Sequence, residues 1–416
     1  MLKTQQSDLT DRGQLTVNVT NNLNIPIQNA TISISYSGIP DNILEQIVTD
    51  RQGFSPSVEL NAPPIELSLD ESNIIQPYAE YSIYVEAPGY EPKDISGIEI
   101  LSDTASMQPV TLNPPTSSLP SNIVIPAHTL YGDYPSKIPE AEIKPVNESG
   151  EIVLSRVVVP ETIVVHDGAP SDSTARNYYV SYTDYIKNVA SSEIYATWPE
   201  STITANILAI MSFTLNRVYT EWYRNKGYDF TITSSTAYDH KWIYGRNIFD
   251  SISRIVDEIF DQYLARPGVK QPILTQYCDG KRVTCPNWMS QWGSKMLGDQ
   301  GYSPIEIIRN YYGSSMYVNT ADQISGIPSS WPGYNLTIGS SGDKVRQMQE
   351  QLNRIAEVYT AIPVIAADGI FGNDTRNAVT EFQNIFGLPK TGIVDFKTWY
   401  KISQIYVGIT RMAELN

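Results

Sequence analysis

The run YIKNVASSEIYATWPESTITANILAIMSFTLN, Tyr185 to Asn216, decides how the chain reads. In its first half Ile186, Val189, Ala190 and Glu193 recur at steps of three and four, so a helix places all four on one face. That face is apolar apart from the glutamate, which must point inward or into a cleft. A carboxylic acid held there has its ionised form disfavoured and its pKa raised, which suits a group that donates a proton near neutral pH. A helix-end glutamate in a salt bridge fits the same spacing, and the run alone does not separate the two readings. After Pro199, the positions Ile203, Ile207, Ile210, Met211, Thr214 and Val218 predict a second, long helix.

Around this run, residues 158–325 mix both element types and predict an α+β domain. VVVPETIVVHDG and YDFTITSSTAYD read as strands. Ile252, Ile255, Val256, Ile259 and Tyr263 mark a further helix. Ser303-Pro304-Ile305-Glu306 is a capping box with proline at the first helical position, opening another helix through Tyr312.

Three segments of this domain resemble, in order, the sporulation stage II protein D family. The first is the run itself, through Tyr185, Val189, Glu193, Trp198 and Pro199, with Ala209 in the following helix. The second is STAYDHKWIYG, which resembles the family's strand ending in Tyr-x-Gly, with Tyr244 and Gly245 at that end here. The third, NWMSQWGSKMLGDQGYSPIEIIRNYYG, matches its Met-Ser-Gln segment and final helix. The resemblance implies that Glu193 is the catalytic acid of a peptidoglycan lytic transglycosylase. Such chemistry needs one carboxyl group, because the muramic 6-hydroxyl attacks in place of the positioned water of ordinary glycoside hydrolysis. Tyr185, Trp198, Tyr238, His240, Gln291 and Trp292 are the candidate glycan contacts in these segments. Gln291 ranks above Ser290, for which helix capping is the alternative. The family's Ala-Arg-Thr stretch is Ser212-Phe213-Thr214 here, and Arg217, one turn on, is its candidate substitute.

Some members of that family bind zinc near the third segment, where this chain has Cys278 and Cys285. The pair has three readings: a small-loop disulfide, two thiolate ligands completed by His240 or others, or two plain thiols. Zinc sites announce themselves by four ligands at tight spacing, so the non-metal readings are favoured. No cofactor is expected, with zinc near the cysteines left open. His128 falls in a connector and His166 in an HDG turn, and both read as surface positions. No Ser-His-Asp constellation emerges to support acyl transfer.

Residues 1–112 read as a β-sandwich. Leu15, Val17 and Val19 alternate with polar residues, as do Ile32 and Ile34, and Tyr81, Ile83 and Val85. Turn signals at Asp50 to Gly53 and Pro88-Gly89 separate the runs, and antiparallel packing follows. The pattern resembles the carboxypeptidase-regulatory-like sandwich, which implies a structural or regulatory module and, in this chain, a pro-domain. Residues 113–157, rich in Pro, Ser and acids, read as a solvated linker with a possible processing site.

Residues 334–416 read as a small three-helix domain, with Val345, Met348 and Leu352 on one face and Ala378, Val379 and Phe382 on the next; the third helix is short and starts at Asp395. They resemble the peptidoglycan-binding domain type 1 through Asp368-Gly369-Ile370-Phe371-Gly372, Phe382-Gln383, Gly387-Leu388-Pro389 and Thr398-Trp399. The resemblance makes Asp368, Phe371 and Gln383 candidate ligand contacts.

With 45 acidic against 29 basic residues the net charge is -16, which argues against a nucleic-acid partner. The 27 Tyr and 7 Trp, against 9 Phe, suit stacking on sugars as well as β-rich cores. The opening MLKTQQSDLTDRG has no apolar run of a secretory signal, and no segment has the length of a membrane span. Taken in series, the domains resemble the clostridial spore cortex-lytic enzymes. That resemblance implies a zymogen in the cortex and coat region of the spore, acting on peptidoglycan after an activating protease has cut it in germination. A peptidoglycan amidase or hydrolase, and a wall-binding scaffold without activity, are the competing readings.

Overall fold

The computed structural model describes residues 8–115, 121–145, 156–321, 323–324, 332 and 334–413. The alternation of Leu15, Val17 and Val19 places all three in the core from β1 (Asp11–Asn21). There follow β2 (Thr31–Tyr36), β3 (Ile43–Val48), β4 (Val58–Ala62), the helical turn α1 (Glu66–Leu69), β5 (Ala79–Glu86), β6 (Lys93–Ile100) and β7 (Ala105–Leu112). Strands β4, β1 and β7 form one sheet and β3, β2, β5 and β6 the other, with Ile32, Ile83 and Ile98 in the core between them. The sandwich is mixed rather than antiparallel, because β1 and β7 pair in parallel. Strands so far apart in the chain have no hairpin to impose the antiparallel sense.

The segment 121–145 departs from the expected solvated linker. Strand β8 (Asn122–Val124) pairs with β6 and extends the second sheet. Beyond it Ile125, His128, Leu130, Tyr134 and Lys137 are buried. The spacing of these residues follows no helical or strand period, so the sequence pattern does not reveal that they are interior. His128 is a clamp rather than a surface residue. Its N–H donates to the Tyr78 hydroxyl at 3.0 Å and its Nε2 lies 3.3 Å from the Ile194 carbonyl. The rest of the expected processing region, 116–120 and 146–155, lies outside the described residues.

The central domain runs β9 (Val158–Val159), β10 (Thr162–His166), β11 (Asn177–Ser181), α2 (Tyr182–Glu193), α3 (Glu200–Tyr219), β12 (Ile232–Thr233), β13 (Ile248–Phe249) and α4 (Asp250–Ile259). It continues through β14 (Gln262–Ala265), β15 (Tyr277–Cys278), β16 (Met289–Ser290), α5 (Gln291–Asp299), α6 (Pro304–Tyr312), β17 (Tyr317–Thr320) and β18 (Gln323–Ile324). The Ser181 hydroxyl accepts the Asp184 N–H at 3.2 Å and starts α2, which stops where Ile194 turns extended ahead of Pro199. Helices α2 and α3 are buried almost all round, so the apolar face of the sequence reading understates their place at the centre. The Ser303 N–H donates to Glu306 at 2.9 Å, as the capping box predicts. Tyr263, expected on α4, lies on β14, and the expected strand YDFTITSSTAYD shrinks to the two residues of β12. His166, expected at the surface, is buried, its Nδ1 2.8 Å from Asn177 Oδ1 and its ring stacked on Phe230.

The first and central domains interlock. Strand β13 adds to the outer side of β7. Beside it Arg246 pairs with Glu99 at 2.5 Å with both side chains buried, and the Asn247 side chain exchanges hydrogen bonds with the Glu99 backbone at 2.8 and 3.2 Å. A pro-domain joined only by a tether is therefore not what these residues build.

Helices α7 (Asp343–Ala356), α8 (Asn373–Ile385) and α9 (Phe396–Ala413) enclose Leu352, Phe371, Val379, Phe382 and Trp399. Helix α9 has 18 residues, longer than expected, and its Tyr400 meets Phe260 of the central domain edge-on at 6.1 Å. Phe382 is fully buried, so Phe382→Ala is expected to cost about 3–5 kcal/mol. Urea denaturation followed in parallel with peptidoglycan sedimentation checks this, since the loss should remove retention on the polymer. Among the described residues no helix is long and apolar enough to cross a membrane.

Candidate active site

Glu193 is the last residue of α2 and is fully buried. Its Oε1 accepts the Lys241 N–H at 2.6 Å, and Oε2 faces Gln291 Nε2 at 3.4 Å. The same amide reaches the Glu193 carbonyl at 3.2 Å, which ties α5 to the end of α2. From β15 the Tyr277 hydroxyl approaches the carboxylate. Burial pushes the Glu193 carboxyl above its ordinary range, while the Lys137 ammonium, the Lys241 N–H and the Tyr277 hydroxyl pull it part of the way back. Among the described residues no cation lies within ion-pair distance of it, so the salt-bridge reading gives way to a buried, hydrogen-bonded acid.

Nor does Glu193 line an open groove. Tyr134 and Lys137, both buried and both from the strap 121–145, lie close enough to feel its charge. The Lys137 Nζ donates to the Asp239 carbonyl at 2.5 Å and lies 4.7 Å from the centre of the Tyr277 ring. Neither residue is singled out by sequence, since both fall in the stretch read as solvated. The number of aromatic and aliphatic residues there is the signal that was available.

The expected glycan contacts gather around Glu193, but as interior groups. Tyr185, Trp198, His240, Gln291 and Trp292 are all buried. The Tyr185 hydroxyl meets His240 Nδ1 at 3.0 Å, and the His240 ring stacks on Tyr277. Burial, with the Lys137 and Arg217 charges, holds His240 well below the usual histidine range, so it is neutral. Trp198 donates from Nε1 to the Ser68 carbonyl of the first domain at 3.0 Å, and its ring lies 5.0 Å from Trp292. Tyr238 is half-buried, and its carbonyl accepts Arg217 Nη2 at 3.2 Å. Ser290 accepts the Gly293 N–H at 2.9 Å at the start of α5, which is the capping role.

Cys278 and Cys285 form a disulfide with Cα atoms 5.6 Å apart. Both sulfurs are covalently taken up, so the cysteine pair does not fit a zinc ion. Among the described residues no three His, Cys, Asp or Glu gather in a ligating group.

In the last domain Phe371 is a core residue. The Gln383 amide donates to Thr391 Oγ1, the Ile393 carbonyl and Thr398 Oγ1 at 2.9–3.1 Å, and it accepts the Gly392 N–H at 2.9 Å. Both ends of that side-chain amide are engaged within the domain. Asp368 alone of the three is exposed, and its Oδ1 accepts the Ile370 N–H at 2.8 Å in a turn.

Residues 341–402 match the family described as "Putative peptidoglycan binding domain". Over 76 residues the chain is 41% identical to the zinc D-Ala-D-Ala carboxypeptidase of Streptomyces albus G, covering 18% of this chain and 28% of that one. The chain thus spans under a third of the curated relative it matches. Among solved structures, the SleB N-terminal domain is 30% identical over 18% of this chain and 93% of that chain, with a TM-score of 0.16. The Bacillus anthracis TIE protein is 13% identical over 25% of this chain and 17% of its own, with a TM-score of 0.18. At those scores neither likeness bears on the architecture. What the comparisons add is a domain of the peptidoglycan-binding kind at residues 341–402, following a domain that buries Glu193.

Proposed function

We propose that the chain is a peptidoglycan-degrading lytic transglycosylase of the spore cortex, made as a zymogen and activated by proteolysis in germination. The observation that carries this reading is the buried Glu193 carboxyl, raised in pKa and surrounded by hydrogen-bond donors. As general acid Glu193 gives its proton to the glycosidic oxygen between muramic acid and glucosamine while the bond to the anomeric carbon breaks. As general base its carboxylate then takes the proton of the muramic 6-hydroxyl as that oxygen bonds to the anomeric carbon. A 1,6-anhydro ring forms, the proton is back on Glu193, and no water is consumed. The Lys241 N–H holds the carboxylate in its charged half-cycle, with the Tyr277 hydroxyl nearby.

The zymogen part rests on the strap. Tyr134 and Lys137 of the buried strap lie within reach of the Glu193 charge, and a sugar ring has to come to that fully buried carboxyl. Cutting the chain within 113–157 is expected to free the site. The uncut protein should leave a turbid peptidoglycan suspension unchanged, and the cut protein should clear it. Product analysis then decides the chemistry. Anhydro-muramic ends support the transglycosylase, whereas reducing ends or freed peptides replace it by a hydrolase or amidase. The full burial of Glu193 favours one rival, a wall-binding scaffold, and an inert cut protein is the result that would establish it.

A further inference from the structure

Arg217 of α3 is fully buried and grips two carboxylates of different kinds. Its Nε donates to Asp239 Oδ1 at 2.7 Å. Its other edge faces Glu140 as a fork on a fork, with Nη1 to Oε2 at 2.9 Å and Nη2 to Oε1 at 2.6 Å. Asp239 belongs to the central domain, where its Oδ2 also accepts the Tyr223 and Thr233 hydroxyls at 2.6 and 2.7 Å. Glu140 belongs to the strap, as does Lys144, whose ammonium pairs with Glu140 and lies 4.3 Å from the centre of the Trp222 ring.

Two parallel N–H donors in a buried fork match the paired oxygens of a carboxylate or a phosphate, and here the group in place is a carboxylate. Asp239 neutralises Arg217 and uses the Nε edge, and the Tyr238 carbonyl takes one Nη2 hydrogen, so what the strap alone supplies to the Nη edge is the carboxylate. If the strap leaves, that edge and one face of Trp222 are uncovered together. A cavity of about 170 Å³ touches both Arg217 and Trp222 and is walled further by Tyr223, Arg224 and Phe230. Asp239 holds Arg217 and, two residues on, the Lys241 N–H holds Glu193, so one short segment of chain serves both groups.

We propose that the Nη edge of Arg217, with Trp222, is a carboxylate-binding subsite, and that Glu140 of the strap occupies it in place of a carboxylate carried by the muramoyl unit of the glycan. The naming of the glycan rests on the function proposed above. The fork and its ligand chemistry do not.

The test uses the full chain with Glu140→Ala, which empties the fork. Acetate is expected to raise the melting temperature of this variant saturably, by several degrees, and to leave the parent unchanged, while acetamide does neither. Replacing Arg217 by Lys in the same background should weaken the acetate effect at least tenfold, because one ammonium cannot present the fork. N-acetylmuramic acid and an L-Ala-D-Glu peptide then distinguish a lactyl from a stem-peptide carboxylate, each set against its amide. Equal shifts with carboxylates and amides, or none with either, would overturn the proposal. Should Glu140→Ala not fold, the parent chain supplies the second measurement. Saturating carboxylate should compete with Glu140 and speed limited proteolysis within 121–145, and rates equal to those with the amide sink the idea. Neither readout needs turnover, so this proposal and the cleavage reading fail separately.

Discussion

Glu193→Gln is expected to abolish cleavage of peptidoglycan by the processed protein while leaving the fold and polymer retention intact. Removing a general acid typically costs about 10²–10⁴-fold in rate, and here the same group also serves as the base. Stability should move the other way. Burial raises the Glu193 pKa above its unfolded value, so the folded state binds the proton more tightly, and the group's contribution falls as pH rises above the ordinary glutamate range. Glutamine removes that penalty at neutral pH and still accepts the Lys241 N–H. The melting temperature should therefore equal or exceed that of the parent at pH 7, with the difference vanishing toward pH 4. A scaffold protein would show the stability change without any loss of activity, which separates the two accounts in one variant.

Glu99→Ala is expected to be the most destabilising single change in the interface between the first two domains. It strands the Arg246 guanidinium in a buried site where the Pro126 carbonyl at 3.2 Å is left as a partner. Stranding one half of a buried pair costs about 3–5 kcal/mol. Replacing both residues by apolar ones, Glu99→Leu with Arg246→Met, should recover most of it, since the desolvation of two charges disappears along with their attraction. Urea unfolding of the single and double variants measures both. The pair also carries a pH signature. Burial lifts the Glu99 carboxyl to about 7 despite Arg246, so its contribution to stability declines as pH rises from its unfolded value toward 7.

Periodicity located α3, the capping box of α6, the alternating strands of the sandwich and the helices of the last domain, because each of these repeats a contact at fixed spacing. It drew attention to Glu193 for the same reason. What it missed has a common cause. Tyr134, Lys137 and Glu140 act on Glu193, Asp239 and Arg217 from 56 to 102 positions away, and no local pattern announces such a pairing. The strap contains the Pro, Ser and acidic residues of a linker, and these outnumber its scattered aromatics. In the last domain the motif residues Phe371 and Gln383 stand out in sequence because the fold needs them, one for its core and one to bind its turn together.

The two residues of β13 set an order of events for a chain leaving the ribosome. The sandwich is synthesised first, yet the outer side of β7 receives its neighbour only when Ile248 and Phe249 emerge. At about 5–20 residues per second that delay is on the order of 10–30 s. During it the nascent sandwich presents an open sheet edge, the feature by which separate chains pair. A fragment ending near residue 112 keeps that edge open permanently, so its tendency to self-associate is written into the place where the central domain lends the first one its last strand.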